Sequence, residues 1–418
     1  MGGSGGGRAI HRGQVASIQR AEIIMPSFYE FFAGGGMARA GLGEDWTCLF
    51  ANDVEPKKGA SYGANWGAEH LVIEDVAKLS TKQLPGHADL AWASFPCQDL
   101  SLAGDGAGLK GERSGTFWPF WSLMKDLRQE GRAPKLVVLE NVSGALSSHG
   151  GEDFAAISAA LAAEDYRFGA VLIDAAHFVP QSRPRLFIVA TQKHFRIPPE
   201  LRLSGFDPQW HPSHLVAAWH KLSQQSKEAW VWWRLPKPPT RRSTFSDLID
   251  DEPENSWHTP EQTRKLLSLM APIHRRKVEE AIRAGGRRVG GIYKRMREDE
   301  DGKRVQRAEV RFDDISGCLR TPVGGSSRQT IILVENGRIR TRLLAPREAA
   351  RLMGLPESYV LPEKYNEAYH LAGDGVVVPV VRFLSVNLLC PLLSKSSSEN
   401  EIEEPGQAYH DEQFALLR

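Results

Sequence analysis

The chain has 418 residues, 41% of them hydrophobic, and a formal net charge of +1. This length suits one large α/β domain with a smaller inserted domain, or about two to three separate domains. The cysteines, Cys48, Cys97, Cys318 and Cys390, are far apart and form no CxxC pair. The sequence therefore argues against a disulfide framework or a metal site, and indicates a reduced, cytoplasmic protein.

Both ends of the chain are predicted to lie outside the folded part. Residues 1–25 open with the glycine-rich MGGSGGG and are interpreted as a linker, and residues 394–418 form a polar tail. The most apolar stretch, Val376–Leu393, contains Arg382 and Asn387 and is predicted to be a buried helix. A membrane span would need about 20 consecutive apolar residues, so no membrane contact is expected.

In the first half of the chain, short apolar runs alternate with helix-like segments. This alternation predicts an α/β fold with a doubly wound, mostly parallel, Rossmann-like sheet. Ligands of such sheets bind beyond the carboxyl ends of the strands. The predicted strands are Ser27–Phe32, Thr47–Asn52, Asp89–Phe95, Lys135–Glu140, Ala170–Asp174 and Leu186–Ala190, and the predicted helices are Pro56–Asn65, Thr116–Gln129 and Asp153–Ala163.

The alternation breaks after about His194, where the chain becomes rich in Trp, Pro and Arg. We predict a catalytic domain in two sequence pieces, 26–194 and 311–393, with a second domain of residues 195–310 inserted between them. The later piece should contain helices at Pro346–Met353 and Val376–Leu389. The tryptophans of the insert are predicted to form its core, and they are Trp210, Trp219, Trp230, Trp232, Trp233 and Trp257.

A glycine-rich loop, Phe31–Gly43, follows the first strand. Glycines at a strand–helix turn let a ligand approach the backbone, and Asp53, about 20 residues further on, could accept a hydrogen bond from a ribose hydroxyl. Arg39 occupies the third glycine position of the dinucleotide fingerprint, which favours a ribose-containing cofactor without pyrophosphate, such as S-adenosylmethionine. A purely structural turn remains open, and Asp75 could bind an adenine amine or cap a helix.

Cys97 follows Pro96 just after the predicted strand Asp89–Phe95, and a glycine-rich segment, 104–115, comes after it. The proline fixes the backbone and aims the thiol toward the ligand crevice, and the segment could close as a lid. A small buried hydrophobe is the alternative for a lone cysteine.

Glu140 ends the predicted strand Lys135–Glu140 and Asn141 follows it, while Arg183 and Arg185 precede the last predicted strand of this half, Leu186–Ala190. Singly, Asn141 could be a helix cap and the arginines solvated strand ends. Together with Cys97 they match the needs of cytosine methylation at C5. Attack of a thiolate on C6 makes C5 nucleophilic, an acid at N3 offsets the developing charge, and an arginine at O2 does so electrostatically.

The chain resembles the C5-cytosine-specific DNA methyltransferase family over Ser27–Ala190 and Arg311 to about Leu393. Several motifs occur in family order, which makes the resemblance specific. They are FAGGG at Phe32–Gly36, ND at Asn52–Asp53, FPCQ at Phe95–Gln98, ENV at Glu140–Val142, QSRPR at Gln181–Arg185, LAPREAARLMGLPESY at Leu344–Tyr359 and GDGVV at Gly373–Val377.

The resemblance implies S-adenosylmethionine as methyl donor and a flipped-out cytosine in duplex DNA as substrate. It implies that Cys97 is the nucleophile, Glu140 contacts the N3 and N4 side of the base, Arg185 contacts its oxygen and Arg183 supports the centre. Residues implied at the cofactor are Phe32, Gly34, Gly36, Asp53, Asp75, Pro96, Phe117, Asp374 and Val376. Glu30, Met37, Asp374 and Gly375 depart from the family pattern, in which Asp, Gly, Asn and Ser are usual.

Residues 271–311 carry thirteen Lys and Arg against seven Asp and Glu, a local charge of +6. Because this segment lies at the family's target-recognition position, we predict that it contacts DNA, although a bare charge run is more often a solvated face. The predicted contacts are Arg287, Arg288, Lys294, Arg295 and Arg297.

These features predict a monomeric enzyme that methylates a specific sequence in double-stranded DNA. The main alternative is a tRNA cytosine C5-methyltransferase, since one branch of the family carries the same motifs. A nucleic-acid-binding protein without activity is disfavoured by the intact Cys97, Glu140 and Arg185, and a nicotinamide oxidoreductase by the broken glycine fingerprint.

Overall fold

The structure, a computed structural model, describes Gly2 and residues 25–96, 116–253, 256–299, 301–321 and 328–396. Cys97 and the predicted lid segment 104–115 lie outside these described residues.

A seven-stranded sheet with the order β3-β2-β1-β4-β5-β7-β6 organises the first half of the chain. Its strands are parallel except for β7, which runs antiparallel to both β5 and β6. The predicted mostly parallel, doubly wound sheet is thus confirmed. The strands are β1 (Ser27–Phe31), β2 (Thr47–Asp53), β3 (Leu71–Ile73), β4 (Leu90–Ala93), β5 (Leu136–Val142), β6 (Tyr166–Asp174) and β7 (Pro184–Gln192).

Helices cover both faces of this sheet, and each face has its own apolar core. A central strand such as β5 is buried on both sides, which is why it reads as the continuous apolar run LVVL before Glu140. The strand β3 was not predicted, because it has only three residues and none of them is buried. The helices that follow the first strands are α1 (Met37–Leu42), α2 (Pro56–Trp66), α3 (Phe117–Gln129) and α4 (Glu152–Ala163).

After β7 the chain returns along the edge strand β6 instead of starting a separate core. Phe168 donates its N–H to Ala229 O at 2.9 Å, and Val231 donates to Phe168 O at 2.7 Å. The indole of Trp233 donates to Val189 O at 3.2 Å. The prediction that the tryptophans form the core of a small inserted domain is therefore wrong for those that cover the edge of the first sheet, which are Trp210, Trp219, Trp230, Trp232 and Trp233. Trp257 lies apart from them, beneath the guanidinium groups of Arg340 and Arg342. This return segment contains β8 (Arg202–Leu203), α5 (Ser213–His220), α6 (Gln224–Glu228) and β9 (Trp232–Trp233).

A second sheet is antiparallel, with four strands in the order β11-β10-β12-β13. Two helices pack on it around Leu266, Met270 and Val278. The predicted boundary after residue 310 falls inside β11, and the sheet continues to Leu343. The elements are α7 (Pro260–Ser268), α8 (Pro272–Ala284), β10 (Arg287–Glu298), β11 (Arg304–Arg311), β12 (Thr330–Glu335) and β13 (Arg338–Leu343).

The last helices return to the first sheet, and Val380, Val381 and Leu384 are buried in the same core as α1. The helical stretch Tyr365–Ser394 is long and apolar enough to cross a membrane by length and composition alone, and 56% of its most apolar window is buried. A core helix passes the same test. The elements are α9 (Pro346–Leu352), α10 (Tyr365–Asp374), α11 (Val378–Leu384), a π-helical turn (Ser385–Leu389) and α12 (Cys390–Ser396).

Candidate active site

The glycine-rich loop between β1 and α1 is held from two sides. Phe32 and Gly34 adopt positive φ values of 57° and 56°, a conformation that glycine tolerates and phenylalanine rarely adopts. The Gly35 carbonyl accepts hydrogen bonds from the hydroxyl of Tyr359 at 2.8 Å and the indole of Trp66 at 3.0 Å. The loop is therefore preformed, with its backbone facing the carboxyl ends of β1 and β2.

Asp53 anchors this loop to the end of β2. One carboxylate oxygen accepts the N–H of Gly34 and the other that of Glu55, each at 2.8 Å. A carboxylate oxygen has two lone pairs, so these bonds are compatible with a further hydroxyl donor. Asp75 caps a short 3-10 turn by accepting the N–H of Ala77 at 2.9 Å, so the capping role that the sequence left open is present.

A cavity of about 780 Å³ runs along the carboxyl ends of the strands, from Asp75 after β3 to Arg185 on β7. It brings together most of the predicted cofactor residues and those predicted catalytic residues that lie in the described part of the chain. The predicted residues that line it are Phe32, Gly34, Asp53, Asp75, Pro96, Glu140, Arg183, Arg185, Asp374 and Val376.

Two predicted cofactor residues do not line this cavity. Gly36 lies behind the loop, at the start of α1, where a Cβ atom would meet the Trp66 indole nitrogen at 2.3 Å. Phe117 is fully buried, with its ring 5.6 Å from that of Phe95 and stacked on that of Trp121. Both residues pack against the elements that line the cavity, and their assignment as cofactor contacts stays a prediction.

Glu140 and Arg185 form an ion pair at one end of the cavity. The Arg185 Nε atom lies 3.1 Å from Glu140 Oε1, and both side chains are largely buried. Antiparallel pairing of β5 with β7 sets this contact, since Val142 is opposite Arg185 in the register. Asn141 is part of β5, and its amide nitrogen lies 3.4 Å from the carbonyl oxygen of Phe95, two residues before Cys97.

Arg183 is buried and spans three chain segments. Its guanidinium donates to the carbonyls of Gly373 and Gly375, each at 2.8 Å, and to that of Leu319 at 3.0 Å. These carbonyl oxygens stabilise the charged guanidinium inside the protein. The residue ties the start of β7 to the end of α10, next to Arg185.

Glu30, on β1, is a buried carboxylate that lines the cavity. One oxygen accepts the N–H of Arg39 at 3.2 Å, and the other has no hydrogen-bond partner among the described residues. Burial raises the pKa of Glu30 to about 8, since a low-dielectric environment disfavours the charged form. In the sequence, Glu30 stands out only as a departure from the family pattern, and the structure places it at the cavity.

Asp374 does not stand alone at the end of α10. Its Oδ2 atom lies 2.9 Å from the Lys58 ammonium, and the hydroxyl of Thr321 donates to its Oδ1 atom. Burial opposes the charge on Lys58, but Asp374 outweighs it, and the pKa of Lys58 is raised. No sequence pattern singled out Lys58, which lies on the first turn of α2 and lines the cavity.

The predicted DNA-contacting residues lie on β10 but differ in their surroundings. Arg287 pairs with Asp251 at 2.8 Å and donates to the carbonyl of Ile249. Arg295 and Arg297, about half exposed, share Glu309 at 3.4 and 2.6 Å. We therefore expect Arg287 to fasten β10, which leaves the distal part of the strand for phosphate contacts.

A second groove, of about 540 Å³, runs between β10, α8 and the start of β7. Its lining is strongly basic and adjoins Arg183 and Arg185 through Ser182 and Pro184. The basic residues along it are His274, Lys277, Lys294, Arg295, Arg311 and Arg320. Within the described residues, no group of three or more His, Cys, Asp or Glu side chains could hold a metal ion.

Comparisons with known proteins agree with this geometry. A model of the C-5 cytosine-specific DNA methylase family matches residues 27–390. The Type II methyltransferase M1.ScrFI of Lactococcus lactis subsp. cremoris is 25% identical over 386 residues, 92% of this chain and 82% of that protein. The Type II methyltransferase M.HhaI of Haemophilus parahaemolyticus is 25% identical over 375 residues, 89% of this chain and 96% of that protein.

Solved structures share the fold at low identity. The S. pombe Dnmt2 methyltransferase has a TM-score of 0.54 at 16% identity and covers 88% of this chain and 99% of its own. The Entamoeba histolytica methyltransferase EhMeth has a TM-score of 0.59 at 14% identity and covers 90% of this chain and 99% of its own. Because the family model spans most of the chain, the protein belongs to the C-5 cytosine-specific DNA methylase family, and the family and enzyme class predicted from the sequence are confirmed.

Proposed function

We propose that the protein transfers a methyl group from S-adenosylmethionine to C5 of a flipped-out cytosine in duplex DNA, through a covalent bond from Cys97 to C6. The observation that carries the proposal is the Glu140–Arg185 pair, which lies at one end of the cavity that begins at the glycine-rich loop. A carboxyl group and a guanidinium side by side match the N3 and O2 edge of cytosine.

The cavity fits the cofactor in size and in donor set. About 780 Å³ is within the range of small-molecule sites. Asp53 and Asp75 would hold the ribose and adenine, and the loop at Gly34 would lie against the sulfur and amino-acid parts. The unpartnered oxygen of buried Glu30 indicates a polar ligand on this wall. When bound, S-adenosylmethionine would supply an electrophilic methyl group.

The protein's own residues would prepare the cytosine for that methyl group. The Cys97 thiolate adds to C6, and Glu140 shares a proton with N3 as electron density moves into the ring. Arg185 stabilises the oxygen at C2. The sulfur–methyl bond of the donor would break as C5 gains the methyl group, which would leave S-adenosylhomocysteine. A base then removes the C5 proton, the double bond re-forms, the proton at N3 returns to Glu140 and the thiolate leaves. Free Cys97 and 5-methylcytosine result.

The basic groove would hold the DNA backbone beside this site. A cytosine inside a duplex hides its reactive atoms in the stack, so it must leave the helix to reach Glu140. Lys294 and Arg295 line the groove together with Pro184, which lies between Arg183 and Arg185 in the chain. A backbone bound there would place a flipped nucleotide within reach of the cavity, which supports duplex DNA as substrate.

Bisulfite sequencing of DNA from cells that express the protein tests this function and reads the target sequence in the same experiment. We expect 5-methylcytosine at one short recurring sequence, and none in cells that express the Cys97→Ala variant. In parallel, methyl transfer from labelled S-adenosylmethionine to duplex DNA and to tRNA is compared. Labelling of tRNA alone would replace the proposed substrate with the alternative one.

A further inference from the structure

We propose that Lys58 binds the carboxylate of the cofactor's amino-acid group, while Asp374 binds the neighbouring ammonium. Lys58 would thus be a positioning residue that makes the site selective for ligands with an amino-acid head. This inference rests on the proposed cofactor.

The order of the strands determines which part of the cavity Lys58 faces. Asp75 and Asp53 follow β3 and β2 at one end of the sheet, and Glu140 lies on β5, beyond β1 and β4. If the nucleoside of the cofactor lies over β2 and β3 and its methyl group points toward Glu140, the third substituent on its sulfur, the amino-acid chain, lies over β1. Gly34 lies just after β1, and Gly375 packs against Met37 at the start of α1. Asp374 precedes Gly375 and pairs with Lys58, so both side chains line the cavity near this middle part.

The lining of this cavity supplies few cations for a ligand carboxylate. Among the described lining residues, the Lys and Arg side chains are Lys58, Arg183 and Arg185. Arg183 is committed to the carbonyls of Gly373 and Gly375, and Arg185 to Glu140. Lys58 is therefore the cation best placed for a carboxylate in the middle part of the cavity.

Lys58 is held in position but retains donor capacity. An ammonium has three N–H donors, and Asp374 accepts one of them at 2.9 Å. Glu55 is 3.6 Å away, which is an ion pair but beyond an ordinary hydrogen bond. The contact with Thr321 fixes Asp374 in turn. The pair presents a positive and a negative group side by side, which complements a zwitterion.

Lys58 also lies where the cavity meets a neighbouring groove of about 580 Å³ between α2 and α10. The cavity and the groove share Glu55, Lys58, His370 and Leu371. Lys57 lines only the groove, is 65% exposed and pairs with Glu367 at 3.1 Å. It is a matched control, since it has the same side chain on the same helical turn without facing the cavity.

Isothermal titration calorimetry with two ligands tests the proposal without relying on activity. S-adenosylhomocysteine carries the amino-acid head, and 5′-methylthioadenosine has the same nucleoside and a thioether but no head. The wild-type protein should prefer the former. Lys58→Met should reduce this preference about tenfold, the size expected for removal of one charge-assisted hydrogen bond. Lys57→Met should leave the preference unchanged.

The possible results separate the role of Lys58 from the proposed function. If Lys58→Met weakens both ligands by the same factor, Lys58 only supports the fold and the proposal is overturned. It is also overturned if the preference in Lys58→Met equals that of the wild type. If the wild type binds neither ligand, the proposed cofactor itself fails, and the role of Lys58 fails with it.

Discussion

The side chain of Met37 lies directly against the backbone of Gly375. A Cβ atom at position 375 would be 2.1 Å from the Met37 sulfur and 3.3 Å from its Cγ atom. The sequence shows these as two separate departures from the family pattern, but in the fold they are one contact. A large residue in the first loop is accommodated by the absence of a side chain after α10.

Gly375→Ser, which restores the usual residue, should therefore impair the protein. Met37 is buried and must move, so we expect a loss of about 1–2 kcal/mol in the free energy of unfolding and weaker binding of S-adenosylhomocysteine. The double variant Met37→Gly/Gly375→Ser should recover most of both, measured by denaturant unfolding and calorimetry. Additive losses in the double variant would show that the two departures are independent.

Asp374→Asn should act on the cofactor more than on the chemistry. An amide cannot hold the Lys58 ammonium or attract a ligand ammonium as strongly as a carboxylate does. We expect KM for S-adenosylmethionine to rise by about three- to tenfold, with a smaller change in kcat. Steady-state kinetics at saturating DNA measures both. A lower kcat with unchanged affinity for the cofactor would contradict this role.

The distal part of β10 should contribute phosphate contacts. Replacing Lys294, Arg295 and Arg297 by Ala should weaken DNA binding and reduce the slope of log K against log salt by about 1 for each phosphate that is no longer neutralised. The matched control replaces Lys82, Lys125 and Lys193, which are exposed and do not line the basic groove. Arg287→Ala should instead lower stability, since Arg287 pairs with Asp251. Equal salt slopes in the two triple variants would remove β10 from the DNA interface.

The protonation of Glu30 should make stability depend on pH. Its folded-state pKa of about 8 lies above the ordinary value of 4.5. The folded protein thus binds a proton that the unfolded chain releases, and stability falls as the pH rises from about 5 to about 8, by at most about 1.4 kcal/mol per pH unit. Glu30→Gln removes this contribution. Unfolding of the ligand-free wild type and variant between pH 5 and pH 8 should give diverging curves, and parallel curves would refute the protonated state.

A duplex with 5-fluorocytosine at the target should trap the covalent bond to Cys97. No C5 proton is available after methyl transfer, so the thiolate cannot leave. Incubation with S-adenosylmethionine should give a species that survives denaturing electrophoresis. Cys97→Ala should abolish it, and Glu140→Gln should slow its formation, because an amide cannot deliver a proton to N3. An adduct in Cys97→Ala would identify another nucleophile, and no adduct on DNA that is methylated would rule out the covalent mechanism.

The parts of the fold that follow from local pattern were predictable, and those that depend on distant packing were not. The apolar run before Glu140 predicts a buried strand, since both faces of that strand are covered. The tryptophans around Trp233 were misassigned, because no periodicity tells a residue which sheet it will cover. Phe117 was placed at the cofactor by resemblance, yet only the packing of α3 shows that its ring faces the core.

The same limit applies to the site. Glycines and acids at strand ends reveal the cavity, because the chain order of a doubly wound sheet fixes where those ends meet. Lys58 gave no such signal, since a lysine on the first turn of a helix is ordinary. Its role depends on contact with Asp374, more than 300 residues later. Pairs of this kind become visible only when the two pieces of the catalytic core are seen together.

The contacts of Arg183 also bear on the order in which the site forms during synthesis of the chain. Its guanidinium donates hydrogen bonds to the carbonyls of Leu319, Gly373 and Gly375. A nascent chain can form most of the first sheet early in synthesis. Until residue 375 has emerged from the ribosome, however, Arg183 lacks most of these acceptors, and the end of α10, which carries Asp374, is missing. If the proposed roles hold, a partly made chain carries Cys97, Glu140 and Arg185 without a finished cofactor site, and we expect it to be inactive toward the DNA around it.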